Sequence, residues 1–344
     1  MGCRLRLDLP RGGTAALAGR GHSPASTVTR PVGRDPTKPV GDRYGDAPNG
    51  HDPARLGERP VVVGLEGPLY EKDALRWAAA EAAARQRPLR VVHVCPPRCG
   101  REGGERPEDV PAQVLQEATQ DVRAIVGDGP VSTQLVTGSP AVALLDESRD
   151  AETLVVGSRG LRRWAGVVLG SVSIAVAANA NCPVVVVRQL HGATPGPSAN
   201  RVVVAVDGTE LSESAIAYAF QAAARRSIGL TALHCWSTRS PADLLPVVDD
   251  RAAVEADHRR LLEDAVAPWQ QHFPQVDVQL GLAQGPPAPV LDTESAGAAL
   301  LVVGSRGRGG VRGLLLGSVS QDVLRGARCP VAIVRSGAHR PDPG

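Results

Sequence analysis

The sequence predicts an α/β chain of two tandem, doubly wound sandwiches, each around a five-stranded parallel sheet. Three observations carry this. A glycine pattern occurs twice, as Gly157-Ser158-Arg159-Gly160 with Gly170-Ser171 nine residues on, and as Gly304-Ser305-Arg306-Gly307 with Gly317-Ser318 nine residues on. Both ends of the pattern repeat at an offset of 147 residues. Each copy follows an apolar run, and in each half such runs alternate with stretches of helical periodicity.

The second half reads most clearly. Val202 to Val206 is continuously apolar, as a parallel strand buried on both faces must be. Asp207-Gly208-Thr209 makes the turn, and Ser212 is the expected N-cap. Ala215, Ile216, Ala219, Phe220 and Ala223 then fall on one helical face. A strand is expected at Leu230 to Cys235, a helix over about 250–268, and a half-buried strand at Val276 to Leu282. A helix over Pro289 to Ala296 and a strand over Ala299 to Val303 lead into the glycine loop. A helix opening near Ser318 and a last strand at Val331 to Val334 complete the unit.

The first half repeats this order. Val61-Val62-Val63-Gly64-Leu65-Glu66-Gly67 aligns with Val202 to Gly208 at an offset of 141, and Asn181-Cys182-Pro183 corresponds to Arg328-Cys329-Pro330. The change of offset puts an insertion between the second strand and the glycine loop, where a surface connection absorbs length cheaply. The expected organisation is a disordered leader over 1–58, a first domain over 59–189 and a linker over 190–200. A second domain over 201–336 and a tail over 337–344 complete it. The leader is rich in Gly, Pro, Arg and Asp and has no periodicity with which to offset its ordering entropy.

Composition excludes several classes. The chain is 42% hydrophobic and 22% charged, enough for a packed core, and aromatics are so few that Val, Leu and Ala must fill it. A net charge of +2 gives no footprint for nucleic acid. No stretch has the roughly 18–20 apolar residues of a membrane span, and no apolar run of signal-peptide type stands near the N-terminus. A cytoplasmic location is therefore expected. Lys38 and Lys72 are the only lysines, so neither glycine loop has the lysine of a Walker-type motif. Cys95 and Cys99 lack the partners of a zinc site, and reduced thiols are expected throughout. No Gly-x-Gly-x-x-Gly follows either first strand, which argues against a dinucleotide-dependent oxidoreductase.

The glycine loops carry the chemistry. A glycine at a strand's carboxyl end lets the backbone bend and brings main-chain N–H groups to an anion. The second part of the pattern opens a helix, whose unpaired N–H groups and dipole attract phosphate. The dipole contributes only about 0.3–1 kcal/mol, whereas micromolar affinity needs about 8 kcal/mol. Burial of a base and a full set of N–H bonds must supply the remainder. The alternative is that the glycines serve only turn and packing needs. Arg159, Arg162, Arg306 and Arg308 are in range of phosphate oxygens or else simply solvated, and His93 and His234 read as sheet residues.

Each half resembles a universal stress protein domain. The matching residues are Val206 to Thr209, Val-Val-Gly-Ser-Arg-Gly at 302–307, Leu-Leu-Gly-Ser-Val-Ser at 315–320 and Cys-Pro-Val at 329–331, with the resemblance covering about 60–188 and 201–335. It implies a Rossmann-like fold of the adenine nucleotide alpha hydrolase type. It also implies that Gly-x2-Gly-x9-Gly-Ser marks members that bind ATP, with Mg2+ as an accompanying ion left open. Nucleotide contacts are implied for Asp207, Gly304, Arg306, Gly307, Gly317, Ser318, Val319 and Ser320. The first copy implies the same for Glu66, Gly157, Arg159, Gly160, Gly170, Ser171, Val172 and Ser173. The first copy departs from the pattern in that Glu66 replaces aspartate, Pro68 stands where the second copy has Thr209, and the first spacer carries Trp164.

Asp207 or Glu66 could hold a magnesium ion through phosphates, but no obvious base stands within either glycine motif, so binding is favoured over turnover. The leading expectation is a nucleotide-responsive regulator of the stress response. A weak Mg-dependent ATPase or autokinase, and a nucleotide-free structural or chaperone-like module, remain as alternatives. The short apolar last strands should not stay exposed. The family pairs them across a dimer, which a tandem chain can make within itself as a pseudo-dimer, with a further homodimer left open.

Overall fold

A computed structural model describes residues 4–6, 59–65, 72–95, 109–158, 169–188, 194–236, 251–307 and 316–335. After β1 (Arg4–Arg6), the first repeat runs β2 (Val61–Leu65), α1 (Lys72–Arg85), β3 (Leu89–Cys95), α2 (Asp109–Val126) and β4 (Val131–Thr137). It continues with α3 (Pro140–Glu147), β5 (Thr153–Gly157), α4 (Ser171–Asn179) and β6 (Val184–Val187). The second runs β7 (Val202–Ala205), α5 (Glu210–Arg226), β8 (Leu230–Trp236), α6 (Arg251–His272) and β9 (Val278–Gln284). It closes with α7 (Pro287–Glu294), β10 (Leu300–Gly304), α8 (Ser318–Gly326) and β11 (Val331–Val334). The two strand–helix alternations match element for element, giving the doubly wound α/β fold expected from the sequence.

Among the described residues the strands form one sheet, ordered β1-β4-β3-β2-β5-β6-β11-β10-β7-β8-β9. Pairing is parallel within each repeat. The repeats meet where β6 and β11 run antiparallel, with Val184 opposite Ile333, Val185 opposite Ala332 and Val186 opposite Val331. All six side chains are fully or almost fully buried. On the outer edge of β4, Arg4–Arg6 adds an antiparallel strand that the featureless leader composition did not announce.

Successive strand residues face opposite sides of a sheet, and the runs of valine serve two cores at once. Val61 and Val63 enter the core under α1, α2, α5 and α6, while Val62 enters the one under α3, α4, α7 and α8. Each core continues across the repeat boundary. Reciprocal arginines reinforce that boundary. Arg188, just after β6, donates to the carbonyls of Leu324, Arg325 and Ala327 at the end of α8. Arg335, just after β11, donates to Ala180 O at the end of α4. Terminal helix carbonyls are otherwise unsatisfied, and a cation there also suits the dipole.

The structure moves several expected boundaries, each for a visible reason. Helix α6 runs past Pro268 to His272, because Trp269 and Phe273 stack on Phe220 with centroids 6.5 and 5.9 Å away. Val276 belongs to the turn before β9, not to the strand, and is buried there. Helix α7 starts at Pro287, since proline at a first helical position loses no bond. The N-cap of α5 is Thr209, not Ser212, whose hydroxyl donates back to Thr209 O at 2.8 Å. The insertion is localised too: β3 and β8 stay at an offset of 141, β4 and β9 stand at 147, and α6 has 22 residues against 18 in α2. The segment over 194–200 is tied down, with Gly196 N donating to Ala296 O and Ser198 Oγ to Glu294 Oε2.

Ile333 is 1% exposed at the β6–β11 pairing. Ile333→Ala should therefore cost about 2–5 kcal/mol of unfolding free energy by denaturant titration. Val142→Ala, at a site 59% exposed, should stay within about 0.5 kcal/mol of the parent.

Candidate functional site

The second repeat contains a cavity of about 490 Å³ at the carboxyl ends of β7, β8 and β10. Strand order reverses where β7 and β10 lie side by side, and open α/β sheets bind ligands at such a point. Leu233, Leu291, Val303, Leu316 and Val319 supply apolar wall. Polar groups converge from the two ends of that wall.

At one end stands Asp207, held by the turn that leaves β7. Its Oδ1 accepts from Thr209 N at 3.0 Å and Thr209 Oγ1 at 2.7 Å. Gly208 makes the turn with a φ of +75°, a conformation that favours glycine. The glycine loop passes directly over this carboxylate: a Cβ on Gly307 would lie 2.6 Å from Asp207 Oδ2. Gly307 is therefore a matter of space. Gly304 is tight as well, a Cβ there meeting Arg306 O at 3.1 Å.

At the other end, α8 begins. Gly317 is its N-cap, in extended conformation, and as a glycine it brings no side chain to cap the helix. The Gly317 N–H donates to Ser305 O at 2.8 Å, and Ser305 N–H to Val334 O at 2.8 Å. The next three residues, Ser318, Val319 and Ser320, line the cavity, and their N–H groups have no acceptor within the helix. Exposed Arg306 lies beside them on the cavity wall.

The hydroxyl of Ser320 has a different task from the one expected. It is buried and donates to Gly304 O at 2.7 Å, pinning the first turn of α8 to the end of β10. Its proton is thus committed, and an anion there would meet the main-chain N–H groups together with the Ser318 hydroxyl and Arg306. The first repeat has the same construction. Ser173 Oγ donates to Gly157 O at 2.7 Å, Gly170 N to Ser158 O at 2.8 Å, and Ser158 N to Val187 O at 2.8 Å. Ser171 and Val172 open α4 as Ser318 and Val319 open α8. Glu66, Arg159 and Gly160 lie outside the described residues, as do Arg162, Trp164 and Arg308.

These two serine-pinned loops, 147 residues apart on matching strands, invite comparison with known families. The universal stress protein family profile matches residues 58–188 and 199–335. The chain belongs to the universal stress protein family. Universal stress protein Rv2005c of Mycobacterium tuberculosis is 38% identical over 80% of this chain and 96% of its own length. Universal stress protein Rv2623 of the same organism is 35% identical over the same shares. In fold, the chain is similar to a functionally unknown protein, PA1789 of Pseudomonas aeruginosa (TM-score 0.58, 18% identity, 82% of this chain and 94% of that one). A universal stress protein from Archaeoglobus fulgidus gives a TM-score of 0.53 at 20% identity, over 80% of this chain and 97% of that one.

Sequence reasoning missed part of this universal stress protein cavity. His234 lines it, and its Nδ1 contacts Val206 O at 2.6 Å. A carbonyl only accepts, so Nδ1 carries a proton, and in the neutral ring Nε2, 3.0 Å from His258 Nδ1, is the acceptor of the pair. Trp236 stacks on His258 with centroids 5.2 Å apart. His93 is the sheet residue expected: buried, its Nδ1 3.1 Å from Leu65 O, its pKa held below the ordinary value by burial.

Cys182 and Cys329 are buried and free, and burial pushes both thiols up to about 12. Cys235, on the cavity wall, is raised to about 11, also by burial. All three should resist alkylation in native protein at pH 8, as peptide mapping after brief iodoacetamide treatment will show. Folded thiols with raised pKa values bind protons that unfolded thiols release. Their contribution to stability is thus complete below pH about 9 and is lost as pH rises toward 12.

Proposed function

We propose that this chain is an ATP-binding regulatory protein of the stress response, in which nucleotide occupancy biases conformation or partner choice. One observation carries the reading. A cavity of ligand size, about 490 Å³, joins a carboxylate at one end to the uncapped first turn of α8 at the other. A nucleotide has complementary parts in that order: a ribose and base with hydroxyl and amino donors for Asp207, a flat apolar ring for the walls, and phosphates for the N–H groups of Ser318, Val319 and Ser320. Arg306 adds positive charge on the phosphate side, and Gly307 keeps the loop low enough to close over Asp207.

The residues suit the nucleotide better than a protein-held magnesium ion. Among the described residues that line the cavity Asp207 is the one acid, and its Oδ1 already accepts two hydrogen bonds. Magnesium would arrive with the phosphates and keep most of its water. Family membership supports the stress-response setting, and the β6–β11 pairing supports a single chain acting as its own pseudo-dimer.

The nucleotide content of purified protein tests this directly. ATP released on denaturation, at one or two per chain, is the expected result; the ratio reports whether the Glu66 copy is competent. Gly307→Ala should lower ATP affinity about tenfold or more by isothermal titration, because the added methyl displaces the Asp207 carboxylate from the loop. An empty protein with no thermal shift in millimolar ATP would sink the reading.

A further inference from the structure

A buried charge cluster lies where α1 packs on α5, outside the cavity and across the repeat boundary. Glu81 is 1% exposed. Its Oε1 accepts from Arg85 Nε and its Oε2 from Arg226 Nη2. Arg85 Nη1 also donates to Glu152 Oε1 at 2.9 Å, and Arg226 Nη1 to Ala222 O at 3.2 Å. Arg225 joins from α5, but its Nη2 stops 3.7 Å from Glu81 Oε1, too far for a hydrogen bond. Three guanidinium groups thus face two carboxylates, leaving one positive charge in excess.

The donors do not balance either. Arg85 Nη2, Arg225 Nε and Arg225 Nη2 are buried and have no acceptor. Buried polar groups are almost always satisfied, and one that is not points to a bound water or ion. The two Arg225 atoms form one edge of its guanidinium, the fork that grips two oxygens of a single oxyanion. Arg85 Nε donates to the same Glu81 oxygen that Arg225 Nη2 approaches at 3.7 Å, so the two guanidinium groups are neighbours. The Arg85 side chain is only 4% exposed, whereas that of Arg225 is 21% exposed, although its Nε and Nη2 are themselves covered.

We propose that a small inorganic oxyanion with the chemistry of phosphate binds between α1 and α5, held by the Nε/Nη2 edge of Arg225 and by Nη2 of Arg85, and completes the contact between the repeats. The electrostatics agree. Burial and then the neighbouring Arg85 guanidinium lower the pKa of Arg225 to about 10, the mark of a cation short of counter-charge. Burial alone would raise the pKa of Glu81, but Arg85, Arg226 and Arg225 hold it below the ordinary range, so Glu81 is a fixed anion already shared out.

The test is phosphate binding to the full, nucleotide-free chain, by equilibrium dialysis with labelled inorganic phosphate in a chloride buffer of matched ionic strength. Three variants accompany it. Arg225→Lys keeps the charge and removes the fork, Arg225→Gln removes both, and Arg306→Gln reports any phosphate held at the glycine loop. The wild type should bind one phosphate that Arg306→Gln retains and that both Arg225 variants weaken about tenfold or more, the worth of one charge-assisted bond. Phosphate should also raise the melting temperature of the wild type and not that of Arg225→Lys, whose melting in chloride alone confirms that it folds. Equal binding by Arg225→Lys and wild type, loss with Arg306→Gln alone, or a wild type that takes up no phosphate would each overturn the proposal. The last outcome would leave water as the partner of these donors.

Discussion

The antiparallel pairing of β6 with β11 is the constraint on which the rest of the molecule depends. Each repeat ends its sheet on a short apolar strand, and such an edge left open is a template for uncontrolled association. Pairing the two edges removes both at once and makes one sheet of two. The helices on each face then share a core that crosses the boundary. The arginines that follow each strand reach over to close the far end of a helix in the other repeat.

The same strands also fix the loops. Val334 O receives the N–H of Ser305, and Val187 O that of Ser158, so each glycine loop hangs from the strand that makes the central pairing. Ser320 and Ser173 add a second tie from the helix above. An anion at the start of α8 would therefore meet donors held from two sides. This pre-organisation means little ordering remains to be done on binding.

Much of this was legible in the sequence because it rests on local rules. Parallel strands buried on both faces must be continuously apolar, and Val202 to Val204 or Leu300 to Val303 admit little else. Gly304 and Gly307 were legible because their pattern repeats, and the structure gives each a tight contact, closest where Gly307 meets the Asp207 carboxylate. The unread parts depend on which elements meet. His258 sits on a half-buried, polar-looking turn of α6 and acquires a role only against His234 and Trp236. Thr209 and Ser212 are both good caps, and only the position of Asp207 decides between them. Ser320 looks like a ligand until the end of β10 is seen beneath it. Arg225 reads as a solvated charge at a helix end, and no periodicity announces that a second helix buries it.

The cluster at the α1–α5 contact has a consequence for how such a chain can evolve. Trp77 and Tyr218 are equivalent positions, as are Arg85 and Arg226, and each arginine lies over the other repeat's ring, at 5.2 and 5.4 Å from the centroids. That part is symmetric. Glu81, however, corresponds to Ala222, and Arg225 to Ala84. In a homodimer every residue on the two-fold axis is present twice, so this acid would confront its own copy. Fusing two genes into one frees the axis from that duplication. A single carboxylate can then serve arginines from both halves, and each half is free to diverge in what it binds.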